Sequence, residues 1–214
     1  MIYANRSDAG KRLARELAGY EKHHPVILAL PRGGLAVAAE IALALDAPLD
    51  LILVRKVGVP GQPELAMGAV ADGADPYVVR NEPIMAHLGV SEAEFQGVCQ
   101  RELEEIERRR KLYLRGRQRA DVKDRTVIVV DDGIATGATT LAALRAVRKR
   151  RPKKLVLAVP VAPTSTIQEL SGEADDIVCL QQHDPFYAIG LYYQDFHQVS
   201  DEEVAGILTK ARAT

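Results

Sequence analysis

Short, almost unbroken apolar runs punctuate this chain, and longer stretches of helical periodicity lie between them. Residues 26–30, 49–54, 126–130, 155–159 and 177–180 are built mainly from Val, Ile and Leu. Runs of this length without polar alternation predict strands covered on both faces, the habit of a parallel sheet. Residues 7–20, 35–45, 139–149 and 164–171 space their apolar side chains at helical intervals, with Ser7 and Thr164 as the N-caps of the first and last. Strand and helix in regular alternation predict an α/β fold, a doubly wound and mainly parallel sheet.

Two segments interrupt the alternation. Residues 57–81 are rich in glycine and proline; the second half predicts a hairpin turning at Asp72 and Gly73, and the first half a mobile loop. Residues 91–118 predict one long exposed helix, with Ser91 and Glu94 in capping-box spacing and acidic residues preceding basic ones. Such a helix exceeds what the sheet needs and reads as an insertion. No internal repeat or low-complexity linker divides the chain, and 214 residues against roughly 150 per domain predict a single domain spanning 1–214.

Composition narrows the partners. Apolar residues at 47% and charged residues at 27% suit a packed globular core rather than disorder or fibre. The formal charge of −1 gives no global attraction to nucleic acid or to membranes. Cys99 and Cys179 lack CxxC or zinc-ligand spacing, so no disulfide framework is expected. The histidines at 23, 24, 87, 183 and 197 show neither metal spacing nor a nucleophile partner, which removes support for a hydrolase triad. The stretch MIYANRSDAGKRLA has no signal-peptide core, and no apolar run nears the ~20 residues that span a bilayer. A cytoplasmic location without membrane contact is the expectation.

The chemistry concentrates in VIVVDDGIATGATT, residues 127–140, where a buried strand runs into two adjacent aspartates and then a turn of glycine, threonine and alanine. In open parallel sheets ligands bind beyond the carboxyl ends of the strands, where Asp131 and Asp132 fall. Backbone N–H groups from Ala135 to Thr139 can converge on an anion at the start of the following helix, whose dipole favours negative charge there. Thr136, Thr139 and Thr140 add hydroxyls, and Gly133 and Gly137 allow the backbone a close approach. Ala138 stands where an ATP-type P-loop has its lysine, so a triphosphate is disfavoured. Two carboxylates beside a phosphate cup would repel the phosphate unless a ribose lay between them, donating its hydroxyls to the acids. A sugar phosphate with vicinal diols fits both halves.

This stretch resembles the signature of type I phosphoribosyltransferases, which bind 5-phosphoribosyl 1-pyrophosphate (PRPP). The resemblance implies that Asp131 and Asp132 hold the ribose hydroxyls and reach a metal only indirectly, through ribose or water. It also implies that Gly133, Ala135, Thr136, Gly137, Ala138, Thr139 and Thr140 surround the 5-phosphate. The family binds pyrophosphate in the loop after its first strand, often through a strained or cis peptide. Here that loop is PRGG, so Arg32, Gly33 and Gly34 are the matching residues and Arg32–Gly33 the matching peptide; paired glycines also offer a backbone nest for an anion. After the second strand, Arg55 and Lys56 precede the glycine- and proline-rich segment. Family members close a flexible loop there, excluding water from an oxocarbenium-like transition state. By that resemblance Arg55 and Lys56 bind pyrophosphate, Lys56 assists its departure, and Glu64 meets the incoming nucleophile. Mg2+ is the implied cofactor, carried on pyrophosphate and ribose oxygens.

Residues 181–198 follow the last strand, where the family places a small hood over its acceptor. The stretch HDPFYAIGLYYQDF, residues 183–196, is aromatic in a chain with 5% aromatic residues, and Phe186, Tyr187 and Tyr192 are the candidates to contact a flat nitrogenous acceptor. Tyr192 and Ala135 stand where purine-salvage members carry acids, which counts against that specificity. The helical insertion is similar to that of a little-characterised bacterial branch of predicted phosphoribosyltransferases. The expected activity is Mg2+-dependent transfer of a phosphoribosyl group from PRPP to a nitrogenous acceptor, in a homo-oligomer. The competing reading is a PRPP-binding regulatory module acting on nucleic acid or a protein partner, because residues 108–119 and 145–154 form two basic runs. Aromatic residues are almost absent from these runs, so nucleic acid is not the favoured partner.

Overall fold

The computed structural model describes residues 2–73, 76–114, 116 and 118–211. After α1 (Arg6–Glu16) come β1 (Val26–Ala29), α2 (Gly33–Ala44) and β2 (Leu49–Leu51). An appendage follows, made of β3 (Val54–Val59), β4 (Gln62–Ala71), β5 (Tyr77–Arg80), α3 (Glu82–Leu88) and α4 (Glu92–Leu114). The chain then returns through β6 (Thr126–Val130), α5 (Ala138–Lys149), β7 (Lys154–Pro163), α6 (Thr164–Leu170), β8 (Asp176–His183) and α7 (Asp201–Lys210).

The central sheet has the order β2-β1-β6-β7-β8 with every pairing parallel. β1, β2, β6 and β7 are buried on both faces, as the unbroken apolar runs predict, whereas the edge strand β8 is only partly buried. Ile27, Ala29, Ile128, Val130, Val156 and Ala158 join the core formed with α1, α2, α4 and α7. Their alternate neighbours Val26, Leu28, Val127, Val129, Leu155 and Leu157 join the core under α5 and Leu170 of α6. The period of two along each strand thus supplies two cores, and the sheet is doubly wound.

The appendage departs from the sequence reading. The run at 49–54 is two strands: beyond Leu51 the chain leaves the sheet, the Ile52 N–H still donating to Ala29 O while the Leu53 N–H donates to Asp72 Oδ1 at 3.0 Å. Ile52 and Leu53 are as buried as the strand residues, so hydrophobicity did not mark the break. The first half of 57–81 forms paired strands, not an irregular loop. β3 and β4 run antiparallel and turn at Pro60 and Gly61, where Gly61 takes φ +77°. The turn expected at Asp72 and Gly73 does join β4 to antiparallel β5; residues 74 and 75 within it lie outside the described residues.

The long charged helix starts on its capping box, Ser91 N donating to Glu94 Oε2 and Glu94 N to Ser91 Oγ. It is not simply exposed: Phe95, Val98, Cys99, Ile106, Tyr113 and Leu114 bury one face against the core. Residues 115 and 117 of the expected span lie outside the described residues. Ser7 and Thr164 are not N-caps. Asn5 caps α1 by accepting from Asp8 N, which leaves Ser7 Oγ to donate to Glu40, and Pro163 occupies the cap position of α6. Both α3 and α7 went unpredicted, although Asn81 with Pro83 and the Ser200–Glu203 capping box are start signals.

Candidate active site

Adjacent parallel strands β1 and β6 send their chains in opposite directions, β1 through α2 to β2 and β6 through α5 to β7. This is the topological switch point of the sheet, where the two loops part and leave a crevice above the strand ends. The Leu30 N–H donates to Val130 O at 2.9 Å, so the register holds up to the crevice. A cis peptide joins Pro31 to Arg32, one bond earlier than the expected Arg32–Gly33.

The glycines of the first loop are dictated by the second. A Cβ on Gly33 would lie 1.9 Å from Asp132 Oδ2, and one on Gly34 would lie 2.9 Å from both Asp131 Cα and Val130 O. The PRGG turn and the acid pair are therefore packed directly on one another. In the second loop, Gly133 has no room for a side chain under Ile189, and Gly137 caps α5 in the left-handed region at φ +76°. Thr166 Oγ1 of α6 braces the loop by donating to Ala135 O at 3.1 Å. Ala135, Thr136, Ala138 and Thr139 face solvent. Thr140 does not: it is 2% exposed inside α5, so its hydroxyl cannot serve an anion in the crevice as the motif suggested.

The acid pair is held by groups from both ends of the chain. Asp131 Oδ1 accepts from Asp132 N at 2.8 Å, and Asp132 Oδ2 accepts from Arg6 Nε at 2.7 Å. The same guanidinium donates through Nη1 to His197 O at 2.8 Å and lies 3.9 Å over the Phe196 ring. Tyr193 donates its hydroxyl to Asp132 O at 2.6 Å. Asp131 keeps some accessible surface, yet protein crowds its carboxyl; burial first and the Asp132 charge second hold it well above the usual carboxylate range, against the pull of Arg6. Arg6, Tyr193, Phe196 and His197 escaped the sequence reading, since Arg6 and Asp132 are 126 positions apart and no local motif links them.

Other candidates are placed elsewhere. Arg32 comes within 3.7 Å of Asp201. Arg55 donates to Glu102 at 2.7 Å, and Lys56 to Glu64 O at 2.9 Å and Glu64 Oε2 at 3.3 Å. Arg55, Lys56 and Glu64 line a cavity of about 470 Å³ between the hairpin and α4, to which no residue of the acid-pair loop contributes. The structure thus joins Gly33 and Gly34 to Asp131 and Asp132, turns the Arg32 side chain toward Asp201, and places Arg55, Lys56 and Glu64 at the hairpin cavity. In the hood, Phe186 stacks on Tyr192 with centroids 5.3 Å apart, and Tyr192 in turn meets His183 at 4.6 Å. Tyr187 projects outward at 78% exposure. A second cavity of about 550 Å³, lined by Ala39, Leu43 and Ile207, lies between α2 and α7 and holds none of these groups. Among the described residues no three His, Cys, Asp or Glu cluster as a metal site, and no helix is long and apolar enough to cross a membrane.

Comparison with known proteins gives the family. Residues 1–195 match the family described as "Phosphoribosyl transferase domain". The chain is 43% identical over 210 residues to two Mycobacterium tuberculosis proteins, "Putative phosphoribosyl transferase MT0597" of strain CDC 1551 / Oshkosh and "Putative phosphoribosyl transferase Rv0571c" of strain H37Rv. These matches cover 98% of this chain and 47% of each relative, so the chain spans about half the length of the curated relatives it matches. The crystal structure of TT1426 from Thermus thermophilus is similar at TM-score 0.84 and 40% identity, covering 98% of this chain and 99% of that one. AQ2163 from Aquifex aeolicus shares the fold alone, at TM-score 0.50 and 13% identity over 83% of this chain and 74% of its own. With the PRGG turn and the acid pair facing each other at the β1/β6 switch point and the family match running through both, this chain belongs to the phosphoribosyl transferase domain family, a family of transferases.

Proposed function

We propose that the chain transfers a 5-phosphoribosyl group from PRPP to a nitrogenous acceptor and releases pyrophosphate, with Mg2+ carried on the donor. The observation that supports this most is the packing of Gly33 and Gly34 directly on Asp131 and Asp132. A ribose set in that crevice has carboxylates for its hydroxyls on one side and a backbone turn for its pyrophosphate on the other. Asp131 and Asp132 accept from the diol. The exposed start of α5, with Thr136 and Thr139 as hydroxyl donors, takes the 5-phosphate, and the helix dipole adds roughly 0.3–1 kcal/mol. Arg32, Gly33 and Gly34 take the pyrophosphate.

Mg2+ prefers oxygen ligands and keeps several waters. Among the described residues the two carboxylates have no third acidic or histidine ligand beside them, so they would serve an ion carried on the donor's oxygens, which would offset charge on pyrophosphate. Arg55, Lys56 and Glu64 act when the β3–β4 hairpin closes over the donor, Lys56 exchanging Glu64 for the leaving pyrophosphate and the hairpin excluding water. Hood residues 181–198 cover the acceptor, with Tyr187 offering the exposed ring and Phe186 with Tyr192 the stacked wall behind it.

The deciding experiment measures pyrophosphate release from PRPP and Mg2+ against a panel of purines, pyrimidines and other nitrogenous bases, with donor binding followed by calorimetry. Release with one acceptor supports the reading and names the substrate. Absence of donor binding sinks it, and tight binding without release makes the chain a PRPP sensor instead.

A further inference from the structure

Both carboxylates of the acid pair have one oxygen already committed: Asp131 Oδ1 to the Asp132 N–H, and Asp132 Oδ2 to Arg6 Nε. Arg6 is itself fixed at three points, by Asp132, by His197 O and by the Phe196 ring, and its side chain is 9% exposed. A planar guanidinium held this way has little freedom and imposes its orientation on its partner. Without it, Asp132 would stand beside a second carboxylate with no counter-charge in contact. We propose that Arg6 is a positioning residue for donor recognition: it fixes Asp132 so that the remaining carboxylate oxygen is presented to the ribose, and it ties that carboxylate to the hood. This rests on the phosphoribosyl-transfer reading given above. Arg6 touches neither donor nor acceptor in this role; it works through Asp132.

A double-mutant cycle on PRPP binding in the presence of Mg2+ tests the claim, using the full chain and calorimetry. Arg6→Met should weaken binding about tenfold or more, the scale of a lost charge-assisted hydrogen bond. The loss should disappear in an Asp132→Asn background, because both changes act on one carboxylate. Arg6→Lys, which keeps the charge but not the fork, should recover part of the affinity. If Arg6→Met fails to fold, as thermal unfolding would reveal, Arg6→Lys carries the cycle: a partial loss beside Asp132 and none beside Asn. Equal losses in both backgrounds would overturn the role, since a merely structural residue weakens binding whatever stands at 132. Failure of the unmodified chain to bind PRPP would sink the underlying reading, and the positioning role with it; binding with additive losses would sink the positioning role alone.

Discussion

The crevice at the sheet end and the appendage of β3, β4, β5 and α4 are both rich in charge, but they use it differently. At the crevice two acids and one arginine come from segments far apart in sequence and are packed on glycine-lined turns. On the appendage, acids and bases pair mostly with near neighbours at the surface: Glu105 with Arg108 and Arg109, Glu92 with Arg80, Glu64 with Lys56. Exposed pairs of that kind contribute little and are interchangeable, whereas the crevice tolerates no such exchange because shape fixes each group. The contrast bears on the basic runs as well. Arg110 and Arg119 reach Asp72, Arg145 pairs with Glu173, Arg148 with Asp175 and Lys154 with Asp176. Much of the charge that suggested a nucleic-acid face is thus directed inward or balanced; Arg115 and Arg117 lie outside the described residues.

Replacing Asp131 and Asp132 together by Asn should break the comparison most sharply. Ribose-phosphate binding should fall at least about 100-fold while thermal unfolding stays cooperative and drops only modestly, because isosteric amides open no void and an amide oxygen at position 132 still accepts from Arg6. Unchanged affinity in calorimetry would remove the site from the crevice. In the appendage the largest effect should come from Asp72→Ala. Its carboxylate is buried, accepts from Leu53 N, Arg110 and Arg119, and its loss would strand two guanidinium groups. Urea unfolding should show about 3 kcal/mol of destabilisation; a shift under about 1 kcal/mol would mean that the arginines find water.

Smaller still, Lys56→Ala should lower turnover about tenfold while changing donor affinity less than about threefold, since the proposed contact forms as pyrophosphate leaves. Equal losses in kcat and donor affinity would take Lys56 out of the chemistry. The least effect belongs to Glu105→Gln, roughly 0.3 kcal/mol near neutral pH. Arg108 foremost, then Arg109, lowers the Glu105 carboxyl from its ordinary 4.5 to about 2. A depressed folded-state value stabilises above the ordinary one and loses that contribution as pH falls through the depressed one. Urea midpoints of parent and variant should therefore differ near neutrality and converge near pH 2.

Legibility followed the same divide. The parallel strands and the acid-pair loop could be read because each is a local pattern: a buried strand needs an unbroken apolar run, and an anion cup needs glycines and hydroxyls in one short stretch. Even there local reading overreached, since Thr140 sits inside α5 and is buried with the core-facing residues of that helix. The break after Leu51 was invisible because burial continues through Ile52 and Leu53 while the pairing partner changes. The glycines and prolines of the β3–β4 segment predict a loop, yet two of them, Pro60 and Gly61, only mark the turn of a hairpin. Arg6 and the Tyr193 hydroxyl were beyond reach, because their roles exist only once both chain ends meet. The capping box before α7 was in plain view at Ser200 and Glu203.

That meeting of the ends sets a clock on the protein's synthesis. Tyr3 N donates to Tyr192 O, Gln194 N donates back to Tyr3 O, and Asp195 N donates to Ala4 O, so residues 3 and 4 are held by residues made much later. Arg6 reaches His197 in the same seam. At roughly 5–20 residues per second, the 191 positions between Arg6 and His197 take about 10–40 seconds to synthesise. Throughout that interval the sheet can assemble strand by strand while Asp132 lacks its full set of supports. A nascent chain is therefore a scaffold with an unsupported acid pair, and a chain cut short before Tyr193 stays one.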